Sequence, residues 1–421
     1  MAKVKNQKFE LDTSAKMYSY IKNRKWNQVF RVSATLVEDV DPELLVKAVS
    51  ELKDRFPTFF VKIKGSFFWR YLSVVDSTDI VDKDNGKWTC SPIEIGRKIN
   101  TPMFRILYNG PTISLEIFHA VTDGTGAMTF LKTLVATYFR LQGIDVPVTE
   151  SVLDTNDDPS DEEVENAFLK CYEKKGETLG RAEKKAYQYK PKIIENYLKV
   201  VHGVVSVDEL KTVVKRYGVT VTQFMTATYI YAFYSNLGKR IDKPIKIQVP
   251  VNLRPIFGFK ETLRNFSLYA NVEVGSSLNG CNFEDILKTT VEQMTRSFDK
   301  DNLQKIINAN VGSEQLAVVR FAPSLVKLPM LKVATRLYGE RLMTSPFSNI
   351  GIVTVPDELK DKIKSFDFVI GATRLNNIYM TMNSFNGKTV VTFSSRSKEV
   401  EVQKIFFNFL REQGMTVETD F

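Results

Sequence analysis

Only two histidines occur in the 421 residues, His119 and His202, so histidine chemistry has two candidate carriers. His119 follows the run Ile113-Ser114-Leu115-Glu116-Ile117-Phe118. Alternate residues of a strand share a face, so His119 takes the parity of Ile113, Leu115 and Ile117, the side that meets a core. Partial desolvation there favours the neutral imidazole, the form that accepts a proton. The chain then turns through Asp123-Gly124-Thr125-Gly126 and enters a helix with Ala127, Leu131, Leu134, Tyr138 and Leu141 on one side. Glycines in that turn permit close approach of a backbone or a ligand. Strand, histidine, glycine turn and helix are an arrangement that sets a general base at a cleft mouth, although a satisfied core histidine fits the same residues. Asp123 also has two readings. It could orient the imidazole as a dyad, or hold the turn by capping the helix or pairing with a cation, and turn aspartates favour the second.

Other chemistries find less support. Cys90, Cys171 and Cys281 lie far apart, without a Cys-x-x-Cys pair or a nearby histidine, so reduced thiols of a cytosolic protein are expected and no metal site. No Gly-x-Ser-x-Gly elbow surrounds a serine that could carry a covalent intermediate. His202, beside Gly203, reads as structural, and Trp26, Trp69 and Trp88 read as packing. The net charge of +9 comes from dispersed Lys and Arg, with no basic tract interleaved with aromatics, so nucleic acid is not an expected partner. No run reaches the roughly 18 apolar residues of a membrane span, and Met1 to Lys8 is polar. A cytoplasmic protein is expected.

The positioning elements follow from caps and periodicity. Val29 opens a strand in which Phe30, Val32, Ala34 and Leu36 alternate with polar residues. Asp41-Pro42-Glu43 opens a helix with Leu44, Leu45, Ala48, Val49 and Leu52 as its apolar stripe. A strand restarts at Phe59, Val61 and Ile63 and breaks at Gly65. In the second half Ser206-Val207-Asp208-Glu209 reads as a capping box before a helix that Gly218 ends, and Thr220-Val221-Thr222-Gln223 starts another towards Gly238. Strands are expected at Ile245-Val251, Leu268-Val274, Ile350-Val355 and Thr389-Ser394, the last after an Asn386-Gly387 hairpin turn. Helices are expected at Phe283-Phe298 and Val400-Arg411. Between the halves, acidic Asp154 to Glu165 and Lys- and Tyr-rich Lys174 to Lys192 read as a solvated linker and an exposed helix. Mixed elements in both halves indicate an α/β or α+β protein, with a boundary that separates residues 1–190 from 191–421.

His119-Ala120-Val121-Thr122-Asp123-Gly124 resembles the His-x-x-x-Asp-Gly motif of the acyl-CoA-dependent acyltransferase superfamily, which includes chloramphenicol acetyltransferase, peptide-synthetase condensation domains and alcohol acetyltransferases. Leu11-Asp12-Thr13-Ser14-Ala15-Lys16, Arg55-Phe56-Pro57-Thr58, Val251-Asn252-Leu253-Arg254-Pro255 and Ser348-Asn349-Ile350-Gly351 look like its bacterial alcohol-acetyltransferase-like branch. Many relatives carry two adjacent histidines, and Phe118 replaces the first here, which argues against a condensation domain. The plant-type Asp-Phe-Gly-Trp-Gly segment is missing.

The resemblance implies two chloramphenicol-acetyltransferase-like subdomains, mixed sheets flanked by helices, that form an internal pseudo-dimer with a tunnel between them, in a monomer. It implies an acyl thioester on coenzyme A or a carrier protein as co-substrate, no bound cofactor, and a small alcohol or amine as acceptor. His119 would be the general base and Asp123 would pair with an arginine, for which Arg254 is the candidate. The Gly124 amide would shape an oxyanion pocket. Ser348 and Asn349 remain open between tunnel lining and turn residues. A catalytically silent protein that binds a thioester or a carrier protein is the competing expectation; trimeric antibiotic acetyltransferases are about half this length.

Overall fold

The computed structural model describes residues 7–21, 28–65, 70–86, 88–94, 100–180, 184–237, 242–275, 282–316, 323, 326, 340–373 and 376–421. Trp26, Trp69, Gly238 and Cys281 lie outside the described residues.

The first half contributes strands β1 (Lys8–Glu10), β2 (Val29–Leu36), β3 (Val61–Gly65), β4 (Arg70–Val74), β5 (Val81–Lys83), β6 (Phe104–Asn109) and β7 (Thr112–Phe118). The second contributes β8 (Lys199–Ser206), β9 (Ile245–Asn252), β10 (Ser267–Val274), β11 (Ser345–Ile352), β12 (Ile363–Ile370), β13 (Ile378–Phe385), β14 (Lys388–Ser395) and β15 (Val417–Thr419). They form a three-stranded sheet β1-β4-β3, a five-stranded sheet β12-β2-β7-β6-β5 and a seven-stranded sheet β10-β9-β11-β13-β14-β8-β15. Both larger sheets are mixed: β5 runs parallel to β6, and β11 parallel to β9 and β13, among antiparallel neighbours. Among the described residues no helix is long and apolar enough to cross a membrane.

Local signals account for many boundaries. Asp41 accepts from the amides of Glu43 and Leu44 and opens the helix Pro42–Arg55, whose buried stripe is Leu45, Ala48, Val49 and Leu52, with Leu44 half-buried. Ser206 caps the helix Val207–Tyr217, and Gly218 ends it at φ 66°. Glu209 does not close the expected box. It accepts from the amide of Thr416 at 2.8 Å, so a tertiary partner has taken it. The reciprocal exchange occurs one helix later, where Gln223 Oε1 accepts from the Thr220 amide at 2.9 Å and Thr220 Oγ1 from the Gln223 amide at 3.2 Å. At the β13–β14 hairpin Asn386 and Gly387 both have positive φ, 44° and 72°, as a two-residue turn of that hand requires.

Other expectations need correction. The strand expected at Ile350-Val355 runs from Ser345 to Ile352. Ser348 and Asn349 therefore sit inside a strand, opposite Thr381 and Met382 of β13, and are not turn residues. The acidic linker is anchored: Glu163 is buried and accepts from both terminal nitrogens of Arg55 at 2.5 and 2.6 Å. The Lys174–Lys192 stretch contains no helix among its described residues, and it buries Ala186 and Tyr189. Trp88 is 40% exposed, so it is not core packing.

One crossover shapes the molecule. β12 joins neither β11 nor β13, its neighbours in the chain, as a sheet strand; it pairs antiparallel with β2, which completes the five-stranded sheet. Its carbonyls meanwhile accept from side chains of the seven-stranded sheet: Phe366 from Asn383 Nδ2 at 2.8 Å, Ile370 from Ser394 Oγ at 2.6 Å, and Phe368 from Thr381 Oγ1. Those hydroxyls and amides are buried, and an unpaired buried polar group costs about 1–3 kcal/mol, so this stitching specifies where β12 must lie. Phe366 and Phe368 pack with Phe30, Leu115 and Ile117 in the core of the first half. A second core lies between the seven-stranded sheet and the helices Val221–Leu237, Phe283–Ser297 and Glu401–Glu412.

Candidate active site

His119 lies directly after β7, where its amide donates to the carbonyl of Gln28 at 2.8 Å. The residue is half-buried. Tyr18 stacks on the imidazole with ring centroids 4.5 Å apart and planes at 29°, and Phe30 meets it edge-on at 5.0 Å. Nδ1 faces the Asn265 side-chain oxygen at 3.1 Å. Burial lowers the imidazole's pKa below its ordinary value, and its own carbonyl, Asp123, Asn265 and Asp12 oppose that shift without cancelling it. That direction favours the uncharged ring.

Asp123 is engaged elsewhere. It is the N-cap of the helix Gly124–Leu141, where Oδ1 accepts from the Gly126 amide at 3.1 Å. Arg254 Nη2 donates to Oδ1 at 3.0 Å and Nη1 to Oδ2 at 2.9 Å, while the Phe266 amide donates to Oδ2 at 2.9 Å. Burial pushes this carboxyl up, but the guanidinium and the two amides outweigh it and hold it below the usual range. Arg254 is itself buried and spans the loop that carries it, with Nε to the Thr262 carbonyl at 2.8 Å and Nη2 to the Arg264 carbonyl at 2.7 Å. One ion pair thus locks the turn after His119 to the loop between β9 and β10. The carboxylate is committed to the turn, and the imidazole's own polar partner is Asn265.

The two glycines of the turn differ. A Cβ on Gly126 would collide with Thr122 Oγ1 and the Leu263 carbonyl, which are hydrogen-bonded to each other at 2.6 Å. A Cβ on Gly124 would come no closer than 3.6 Å to its nearest neighbours, side-chain carbons of Ile350 and Phe368. Gly124 therefore faces the end of β11 and the crossing strand β12. Ser348 is half-buried on β11. Asn349 turns to other work, donating to Thr222 Oγ1 at 3.1 Å and accepting from the Gly351 amide at 2.8 Å.

The structure brings His119, Asp123, Gly124 and Arg254 together, with Tyr18, Phe30, Asp12 and Asn265 around the ring. Sequence reasoning passed over these last four. Asp12 and Tyr18 lie within or just beyond the segment noted for its resemblance, while nothing local marks Asn265. His202 stands apart: Nδ1 lies 2.6 Å from Asp420 and Nε2 3.2 Å from Asp367 on β12. Among the described residues no group of three or more His, Cys, Asp or Glu could hold a metal ion.

Comparison with solved structures adds the fold. The trichothecene 15-O-acetyltransferase from Fusarium sporotrichioides is similar over 97% of this chain and 94% of its own, with a TM-score of 0.61 and 14% identity. The first condensation domain of the calcium-dependent antibiotic synthetase is similar over 97% and 95%, at 0.63 and 12%. TRI101 of F. sporotrichioides, solved with coenzyme A and T-2, is similar over 98% and 99%, at 0.62 and 11%. The chain has the fold of these acetyltransferases and condensation domains. The similarity extends over nearly the full length of this chain and of each of these structures. No family model matches the chain, and no curated protein sequence does.

Proposed function

We propose that the chain is an acyltransferase that moves an acyl group from a thioester to the hydroxyl or amine of a small acceptor, with His119 as general base. The observation that carries this reading is a half-buried imidazole, its pKa lowered by burial, that meets Asn265 through Nδ1 at 3.1 Å beside a turn clamped by Asp123 and Arg254. Its other nitrogen would then be available to an acceptor. An alcohol or amine is a weak nucleophile while protonated, and a base within hydrogen-bond reach removes that proton as the bond forms.

In this reading Nε2 of His119 takes the acceptor proton while the acceptor oxygen or nitrogen attacks the thioester carbonyl. The carbonyl electrons move onto oxygen, and the Gly124 amide, at the positive end of its helix, would meet that developing charge. Collapse of the tetrahedral species expels the thiolate, and the imidazolium returns its proton to sulfur. No covalent enzyme intermediate is needed. Two lobes, residues 1–190 and 191–421, would enclose the substrates within a monomer, with Ser348 on the wall that the second half contributes. Asn349, bonded to Thr222 and Gly351, would hold that wall in shape. Coenzyme A or an acyl carrier would bring the thioester; one similar structure was solved with coenzyme A and another with C8-CoA.

The test is release of free thiol from acyl-CoA in the presence of varied alcohols and amines. Turnover that depends on acceptor and disappears in His119→Ala supports the proposal. Undiminished turnover in that variant removes His119 as base, and no turnover with any donor leaves a protein that binds a thioester or a carrier protein without reacting.

A further inference from the structure

Two buried polar side chains line up behind the imidazole from distant parts of the chain. Asp12 precedes the helix Thr13–Ile21, and Asn265 precedes β10; they are 0% and 2% exposed. Asn265 Nδ2 donates to Asp12 Oδ2 at 3.3 Å, and Asn265 Oδ1 faces His119 Nδ1 at 3.1 Å. Asp12 is held in turn: its Oδ1 accepts from the Ala15 amide at 2.7 Å, and Arg264 Nη2 lies 3.6 Å from Oδ2.

The chemistry of these groups gives the row a direction. A carboxylate only accepts, whereas an amide has one accepting and one donating end. With Asp12 ionised, Asn265 must turn its NH2 towards Asp12 and therefore its oxygen towards His119. That oxygen only accepts, so Nδ1 must carry the ring proton and Nε2 is left bare. Burial, with Asp123 adding to it, leaves the Asp12 carboxyl above its ordinary value; Arg264, the Ala15 amide and Asn265 oppose that rise and favour the ionised form without cancelling it.

We propose that Asp12 and Asn265 are positioning residues that fix His119 in the Nδ1-protonated tautomer and keep Nε2 free for the acceptor. The proposal rests on the reading of His119 as base. Neither residue touches the reacting atoms; they act through the ring. Tyr18 restricts the ring's rotation by stacking on it, so the amide selects the tautomer of a ring already held in place.

The experiment uses the full chain with 15N-labelled histidine, in which the two histidines are told apart by His202→Gln. Each ring nitrogen reports by its shift whether it carries a proton, and no substrate is required. The wild-type protein should show a protonated Nδ1 and a bare Nε2 at His119. Asp12→Asn, which is isosteric, allows the new amide to donate to Asn265 Oδ1 and turn that amide over, so the proton should move to Nε2. Asn265→Ala should give a mixture of tautomers, with kcat lowered about 10–100-fold and KM within about twofold, as small losses of alignment do. Asn265→Asp restores an acceptor, so it should return the wild-type tautomer and raise the midpoint of the ring's titration. A bare Nδ1 in the wild type, or a wild-type nitrogen pattern in both Asp12→Asn and Asn265→Ala, would overturn the proposal, since the ring's own carbonyl would then suffice. If the tautomer responds as described but the wild-type protein transfers no acyl group, the base reading fails and the relay stands.

Discussion

Asp123 and Arg254 lie 131 residues apart in sequence and meet in a two-pronged ion pair, with both nitrogen–oxygen distances between 2.9 and 3.0 Å. The same carboxylate caps the helix that follows His119 and accepts the Phe266 amide. One side chain thereby ties together the turn, the helix start and the loop that carries Asn265.

Removal of the cation should leave a buried charge without its partner. Arg254→Ala is expected to destabilise the fold by about 3–5 kcal/mol, measured by urea denaturation. The sign of the pH effect follows from the lowered Asp123 carboxyl. Its stabilisation is complete above the unfolded value of 3.8 and disappears as pH falls through the folded value. Asp123→Asn should flatten that acid limb; an unchanged acid limb would refute the coupling.

His119→Gln should lower turnover roughly 10²–10⁴-fold, the usual contribution of a general base, while thermal melting moves little. Because burial lowers the imidazole's pKa, the acid limb of kcat/KM in the wild type should fall below pH 6.5, the ordinary value. A limb above that value would mean that the ring is not desolvated in solution.

His202 should act on stability and not on chemistry. Burial alone would lower its pKa, but hydrogen bonds to Asp367 and Asp420 push it up to about 10. A group raised on folding stabilises fully below its unfolded value, near 6.5, and that contribution is lost as pH climbs towards 10. The melting temperature should therefore decline between these limits, and His202→Gln should remove the decline while transfer activity at neutral pH stays as it was. The pair is partly open to solvent, so the effect should be about 1 kcal/mol or less.

The turn glycines should separate in a denaturation series. Gly126→Ala drives a methyl against Thr122 and the Leu263 carbonyl and should cost about 1–3 kcal/mol, the usual range for overpacking. Gly124→Ala meets side-chain carbons at 3.6 Å or more and should fold nearly as well as the wild type. Equal stability of the two would contradict the geometry of the turn.

Features governed by a residue and its next four neighbours were legible in the amino-acid sequence: Asp41 and Ser206 as caps, Gly218 as a helix end, Asn386-Gly387 as a hairpin turn. The strand, turn and helix around His119 to Gly124 were legible too. Parity did not mark the base, since Ser114, Glu116 and Phe118 of the opposite parity are buried as well; only the resemblance of the motif singled it out. Three outcomes depended on tertiary structure. β12 was not among the strands expected from sequence, and pairing with β2 together with side chains of the opposite sheet decides which sheet receives it. Glu209 follows a capping pattern and is drawn away by Thr416, 207 residues distant. Asn265 meets the imidazole across 146 residues and bonds Asp12 across 253. A lone asparagine or aspartate carries no periodicity, so its partner is set by where the folded backbone brings it. The chain thus declares its candidate base locally, and the folded structure alone decides what orients it.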